Sequence, residues 1–454
     1  MPRLVVLLLC VSLICTSAVL TPARAESATP TVADLQRQLA EMQSRLDQLE
    51  AGEAQPAPAG EEGLSDLRAA AETAAEAQGV PPESSEEPSF TSGALGLQAL
   101  NPEISVAGDI LTTYRSGDDI DRPFDFNFRT LELAFDSYLD PYSRMKAIVE
   151  FSPDETEFGE GYYTRYGWLP DLNVTIGKFR QQFGVINRWH KHALDQVDFP
   201  LPLRQIFGPG GLNQIGASLD WQLPPLGEAA QELTLQVTNG ENALLFGKNS
   251  RNMPSVLAHY RNYRDLDKDT YLEWGLTGLS GRNDTWDVLS AEEVIPERRD
   301  LSTTVLGADL TLLWEPTDRM RYRNWTWRSE AYLLNKEILA PDGSGEDTLR
   351  SWGAYTSFQR KLDRTLDAGL RLDYYEPDVK AYADLPGLSL APLAVTAPGA
   401  HQWLFAPYLT WYQSPWVHWH LEYNHLAGHD MGPEEDSLYL QCIFAAGPHK
   451  HERY

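Results

Sequence analysis

Histidine both ligates metals and titrates near neutral pH. The chain has ten of them, and three pairs share the spacing His-x-His: His190 with His192, His418 with His420, and His449 with His451. Glu422 extends the middle pair, so His418, His420 and Glu422 stand at i, i+2 and i+4, on one face if the backbone is extended. Imidazole and carboxylate suit zinc and similar metals. Alternate strand residues are about 7 Å apart at a rise of ~3.3 Å each, so chelation needs long side chains to converge or a ligand from elsewhere. The other reading is polar wall lining. A second concentration of chemistry is the run Arg188, His190, Lys191, His192, Asp195, Asp198 and Arg204. Charges of this kind ringing a narrow passage decide which ions traverse it. No nucleophile elbow is present, and His425 and His429 lack the glutamate that a metalloprotease helix carries between its histidines. Enzymatic activity and a cofactor are therefore not expected.

The elements that must position these residues show a period of two. Ile215, Ala217, Leu219, Trp221 and Leu223 alternate with Gly216, Ser218, Asp220 and Gln222. Leu306, Ala308, Leu310 and Leu312 alternate with Gly307, Asp309 and Thr311. Val417, Trp419, Leu421 and Tyr423 alternate with His418, His420, Glu422 and Asn424. One apolar and one polar face is a strand signature. Sixteen such segments follow residue 100, each as long as a tilted bilayer crossing. This predicts an all-β, 16-stranded antiparallel transmembrane β-barrel, whose alternation keeps mean hydropathy low. With 13 Trp, 20 Tyr and 15 Phe, the chain also has the aromatics that barrel girdles use.

Connections alternate in length. Asp140-Pro141, Pro170-Asp171, Asp267 to Asp269, Leu362 to Arg364 and Ser414-Pro415 are tight and rich in turn formers. Those at 185-213, 242-254, 282-302 and 377-401 are long. Short turns mark the periplasmic rim, where both ends of the barrel then fall. The polar faces place Glu132, Asp136, Asp220, Glu273, Asp309, Arg328, Glu330, Arg371 and Asp373 towards the interior, a mainly acidic lining that favours cations. A change of phase near Gly177 and Lys178 suggests a bulge there.

Before the barrel, residues 1-25 read as a secretory signal: a positive start, an apolar run and Ala23-x-Ala25. Val32, Leu35, Leu39, Met42, Leu46 and Leu49 form a heptad seam, predicting a coiled coil over 26-50. The Ala-, Glu-, Pro- and Ser-rich residues 51-99 predict a disordered linker. Cys442 is the only cysteine beyond the signal, so no internal disulfide forms in the exported chain. The net charge of -28 argues against a nucleic-acid partner. The expected setting is the outer membrane of a Gram-negative bacterium, with the coiled coil in the periplasm. It could assemble the chain as a homotrimer or reach peptidoglycan.

The segment GKFRQQFGVINRWHKHALDQVDFPLPLRQIFGPGGLNQIGASLDW (177-221) resembles the phosphate-selective porin O and P family, and more nearly barrels described as zinc-regulated outer-membrane proteins. LNPEISVAGDI (100-110), VTNGEN (237-242) and AAGPHKHERY (445-454) support the resemblance. It implies sixteen strands, trimers, and a third external loop folded inward to narrow a pore. The loop so identified is 185-213, the one that carries the charged run. The arginine ladder expected of a phosphate channel is not found. The function expected is passive diffusion of small hydrophilic solutes or ions; a metal (zinc) uptake receptor and an envelope-tethering barrel are the alternatives.

Overall fold

The computed structural model describes residues 102–117, 120–247, 253–283, 301–339, 346–377 and 399–447. The expected signal, coiled coil and linker, and the pair His449 and His451, lie outside them.

Sixteen antiparallel strands close into one barrel. The first five are β1 (Glu103–Gly117), β2 (Phe124–Asp140), β3 (Ser143–Phe151), β4 (Thr156–Leu169) and β5 (Leu172–Arg180). After a long crossing come β6 (Asn213–Leu226), β7 (Ala229–Thr238), β8 (Ser255–Asp267), β9 (Thr270–Asn283), β10 (Leu301–Trp314) and β11 (Trp325–Leu339). The circuit ends with β12 (Glu346–Lys361), β13 (Leu366–Glu376), β14 (His401–Ser414), β15 (Val417–His429) and β16 (Glu435–Ala446). Each strand pairs with its neighbour in sequence, and β1 pairs with β16 from Val106↔Ala446 to Gly117↔Glu435. Closure leaves no unpaired edge, which a bilayer would not tolerate.

The polarity is inside out. On β9, Trp274 and Leu276 face outward, 37% and 55% exposed, while Glu273 and Thr277 are enclosed. Such an outer surface is unfavourable in water and favourable against acyl chains. The short turns are built by their own side chains. Asp140 Oδ1 accepts from Tyr142 N at 2.7 Å, Asp267 Oδ1 from Asp269 N at 2.8 Å, and Asp363 Oδ1 from Thr365 N at 2.7 Å. These are local Asx bonds that fix hairpin geometry.

Local breaks in the ladders decide which residues reach the interior. The bulge expected at Gly177 and Lys178 is absent from the β5–β6 ladder, which runs unbroken from Leu172↔Trp221 to Arg180↔Asn213. Gly177 keeps its place in both ladders with a φ of 141°, a value that favours glycine. A bulge does occur in β2, where Asp109 pairs with Thr130 and Ile110 with Phe128, leaving Arg129 as the extra residue.

Candidate functional site

The chain leaves the wall after Arg180, earlier than the period-two pattern implied, and returns at Asn213. In between it forms turns of 3-10 helix at Ile186–Arg188 and Lys191–Ala193, then helix α1 (Leu201–Phe207). Gly184, with φ 60°, makes the first sharp bend. A Cβ there would run into the Glu330 carboxylate, so the position accepts only glycine without displacement.

This segment crosses the barrel interior, held by side chains from distant strands. Glu330 Oε1, on β11, accepts from Val185 N at 3.1 Å and Ile186 N at 2.9 Å. Glu422 Oε2, on β15, accepts from Val197 N at 3.0 Å, and Asp373 Oδ2, on β13, from Leu201 N at 2.8 Å. Arg371 donates to Asp198 O at 2.8 Å while pairing with Asp373 at 2.9 Å. From β2 Arg129 donates to Val197 O at 2.9 Å and Asp198 Oδ1 at 3.1 Å. Arg328 pairs with Asp195 at 3.3 Å and lies over the Trp189 ring. Buried loop N–H groups need an acceptor, and these carboxylates supply it.

The crossing segment also builds an apolar core inside the barrel. Phe183, Ile186, Leu203, Ile206, Phe207 and Leu212 pack with Leu257, Leu279, Val305, Tyr332 and Leu334 from β8 to β11. A second inward piece, helix α2 (Ala243–Phe246), adds Leu245 and Phe246. Lys336 Nζ donates to Leu244 O at 2.7 Å and Thr303 Oγ1 to Leu245 O at 2.9 Å. The sequence signal for this core is the doublets Val256-Leu257, Val305-Leu306 and Leu333-Leu334, where apolar residues occupy both faces of a strand. The β8–β11 side of the interior is filled. Polar space persists beside it: a cavity of about 400 Å³ is lined by Glu132, Lys146, Glu160, Arg188, His190, Asp220 and Arg261, among others. A second, of about 280 Å³, is lined by His192, Asp195, Thr410, His418 and His420.

The charged residues named from sequence divide between anchors and cavity. Glu330, Arg371, Asp373, Arg328, Asp195 and Asp198 are anchors, as described above. Asp136 pairs with Arg144, and Asp220 accepts from Thr234 Oγ1 at 2.9 Å; both line the larger cavity, with Arg188. Glu273 lies 3.7 Å from Arg261, and both carboxylate oxygens of buried Asp309 lack hydrogen bonds among the described residues. Lys191 and Arg204 are half-buried, Arg204 on α1. His418, His420 and Glu422 share a face of β15 yet do not gather around a common point. His420 lies 2.8 Å from Thr410 Oγ1 and 3.1 Å from Glu422 Oε2, whose carboxylate already serves Val197.

His190 and His192 instead meet carboxylates that the alternation argument had not joined to them. His190 Nδ1 lies 3.2 Å from Glu132 and 3.7 Å from Glu150, and its Nε2 lies 3.3 Å from Glu160. His192 Nδ1 is 3.6 Å from Glu132. Burial opposes a charge on His190, but its hydrogen bonds to Glu132, Glu150 and Glu160 outweigh that, pushing its pKa up to about 10. Among the described residues, Glu132, Glu150 and His190 are the group whose donor atoms come close enough together to hold a metal.

No family model matches the sequence. An uncharacterized protein of Aquifex aeolicus (strain VF5) is 25% identical over 260 residues, which cover 54% of each chain. The chain thus spans about half the length of the curated relative it matches. Among solved structures, OprB of Pseudomonas putida at high pH superposes with a TM-score of 0.52 at 10% identity, covering 79% of this chain and 98% of that one. The outer membrane channel DcaP of Acinetobacter baumannii gives 0.50 at 13% identity, covering 76% and 96%. What they share is the barrel fold.

Proposed function

We propose that the protein is an outer-membrane channel for passive diffusion of small hydrophilic solutes or ions, with the segment between β5 and β6 as its constriction. The observation that carries this reading is a polar cavity enclosed by a lipid-facing barrel and roofed by a loop bonded to its walls. A sealed structural barrel has no need of charged groups bordering internal space. The larger cavity is bordered by six carboxylate side chains, Glu103, Glu132, Asp136, Glu160, Asp220 and Glu232, and five basic ones, Arg144, Lys146, Arg180, Arg188 and Arg261. With His190, protonated at neutral pH, as a sixth positive group, the lining is balanced and locally paired, which favours neither sign of ion strongly. It speaks against the phosphate selectivity that the sequence resemblance brings with it, since many of the basic groups are spent on carboxylates.

Assembly as a homotrimer in contact with outer-membrane lipid belongs to the same reading, as does a periplasmic coiled coil that could touch peptidoglycan. A metal-uptake receptor is the second reading, favoured by the histidine–glutamate cluster. Swelling of liposomes loaded with the purified protein separates a pore from a tether. Uptake of small sugars, falling steeply with solute size, is expected. Liposomes that hold folded protein yet stay impermeable to every sugar would contradict the pore.

A further inference from the structure

We propose that Glu132, Glu150 and His190 form a binding site for a divalent cation of zinc's class, at the edge of the larger cavity. The proposal rests on the channel reading only for the route by which the ion arrives.

Glu132 and Glu150 are direct cross-strand partners on β2 and β3, side by side in the ladder. Like charges so placed repel unless something sits between them. The crossing loop brings His190 to that point, with one ring nitrogen, Nδ1, facing both carboxylates at 3.2 and 3.7 Å. One nitrogen carries one proton and cannot satisfy both. Glu132, 2% exposed, turns one oxygen, Oε2, to His190 Nδ1 at 3.2 Å and to His192 Nδ1 at 3.6 Å. A buried carboxylate facing two imidazole nitrogens and a second carboxylate is a place where one positive charge, a proton or a metal ion, has to sit.

The three donor atoms lie within 4.8 Å of one another. Donors at about 2.1 Å from a tetrahedral zinc ion stand about 3.4 Å apart, so a small contraction completes the site. The far side of the ring matches as well. Metal-bound histidines usually give their second N–H to a carboxylate, which fixes the ring. Here Nε2 lies 3.3 Å from Glu160 Oε2, and Glu160 Oε1 is itself held by Arg180 N at 3.1 Å. His192 Nδ1, 3.6 Å from Glu132, offers a fourth ligand after a modest ring movement, or water from the cavity completes the shell. One imidazole with two carboxylates suits zinc and its neighbours. Calcium needs six to eight oxygens, and magnesium holds its waters.

The test is calorimetric titration of the metal-free, full-length protein in detergent with zinc chloride, then with magnesium and calcium chloride. One zinc per chain is expected, without comparable binding of the other two. Glu132→Gln and His190→Gln should each abolish it or weaken it strongly, and Glu160→Gln should weaken it by about 10–100-fold through the ring it orients. Each variant is checked for the heat-dependent gel shift of a folded barrel. Zinc X-ray absorption on the wild type gives a reading independent of the variants: nitrogen and oxygen donors with an imidazole contribution are expected. Folded wild type that takes up no zinc would overturn the proposal, leaving a protonated His190 bridging three carboxylates. Zinc bound with unchanged affinity in both Glu132→Gln and His190→Gln would overturn it too. Conductance is recorded on the same preparation. Conduction without zinc binding defeats this inference alone; zinc binding without conduction defeats the channel reading and leaves the site standing.

Discussion

Glu330 shows how a single side chain holds the interior together. Besides Val185 N and Ile186 N, it accepts from Tyr332 OH at 2.7 Å and Tyr355 OH at 3.0 Å. An amide in its place can accept through one atom only and turns donors towards donors. Glu330→Gln should therefore weaken the docking of the crossing segment by about 1–3 kcal/mol for each donor left stranded. Single-channel recordings should show larger and noisier current, with the barrel still folded. Arg371 is a sharper case, because it is enclosed with Asp373 as its partner. Arg371→Ala leaves that carboxylate uncompensated, an effect of about 3–5 kcal/mol read as a lowered urea midpoint of the folded band. Replacing both residues with apolar ones of similar volume should cost less than the single change. The inward facing of these residues, and the neighbours Tyr332 and Asp373 two places along the same strand face, follow from period-two alternation, but the loop partners do not: they lie more than a hundred residues away in sequence. Arg129 escaped the reading altogether because the β2 bulge shifts the alternation at the point where it sits.

At the scale of elements, the strands were legible because each carries its own record of which face meets lipid. The paths of the inward pieces were not. The residues Gln181 to Gly184 continue a strand-like pattern, and only Gly184 with its positive φ marks the departure. Helix α2 is four residues long and has no periodicity to detect. Its evidence lay in the receiving strands, whose apolar doublets make sense only if something apolar packs inside. Phe246 fills the space over Gly281, where a Cβ would meet its ring. Phe246→Ala should destabilise this packing by about 3–5 kcal/mol, seen as faster hydrogen exchange in α2 and the ends of β9 and β10. The turn side of the barrel should be unaffected, since additivity over such distances means independence.

For the molecule as a whole, one polarity argument joins sequence, fold and function. An antiparallel wall with apolar residues outward and carboxylates inward is stable only where lipid lies outside and polar groups, water or a paired loop lie within. The β8–β11 side of the interior carries a packed core, and polar cavities persist beside the loop. The account therefore makes the crossing segment a partial obstruction rather than a plug. The most direct test is recording from the purified protein in a planar bilayer under a salt gradient. Discrete conductance steps are the result the account requires. Correctly folded, heat-shifting protein that inserts and gives no steps would contradict it and leave the barrel as a closed anchor or gated receptor.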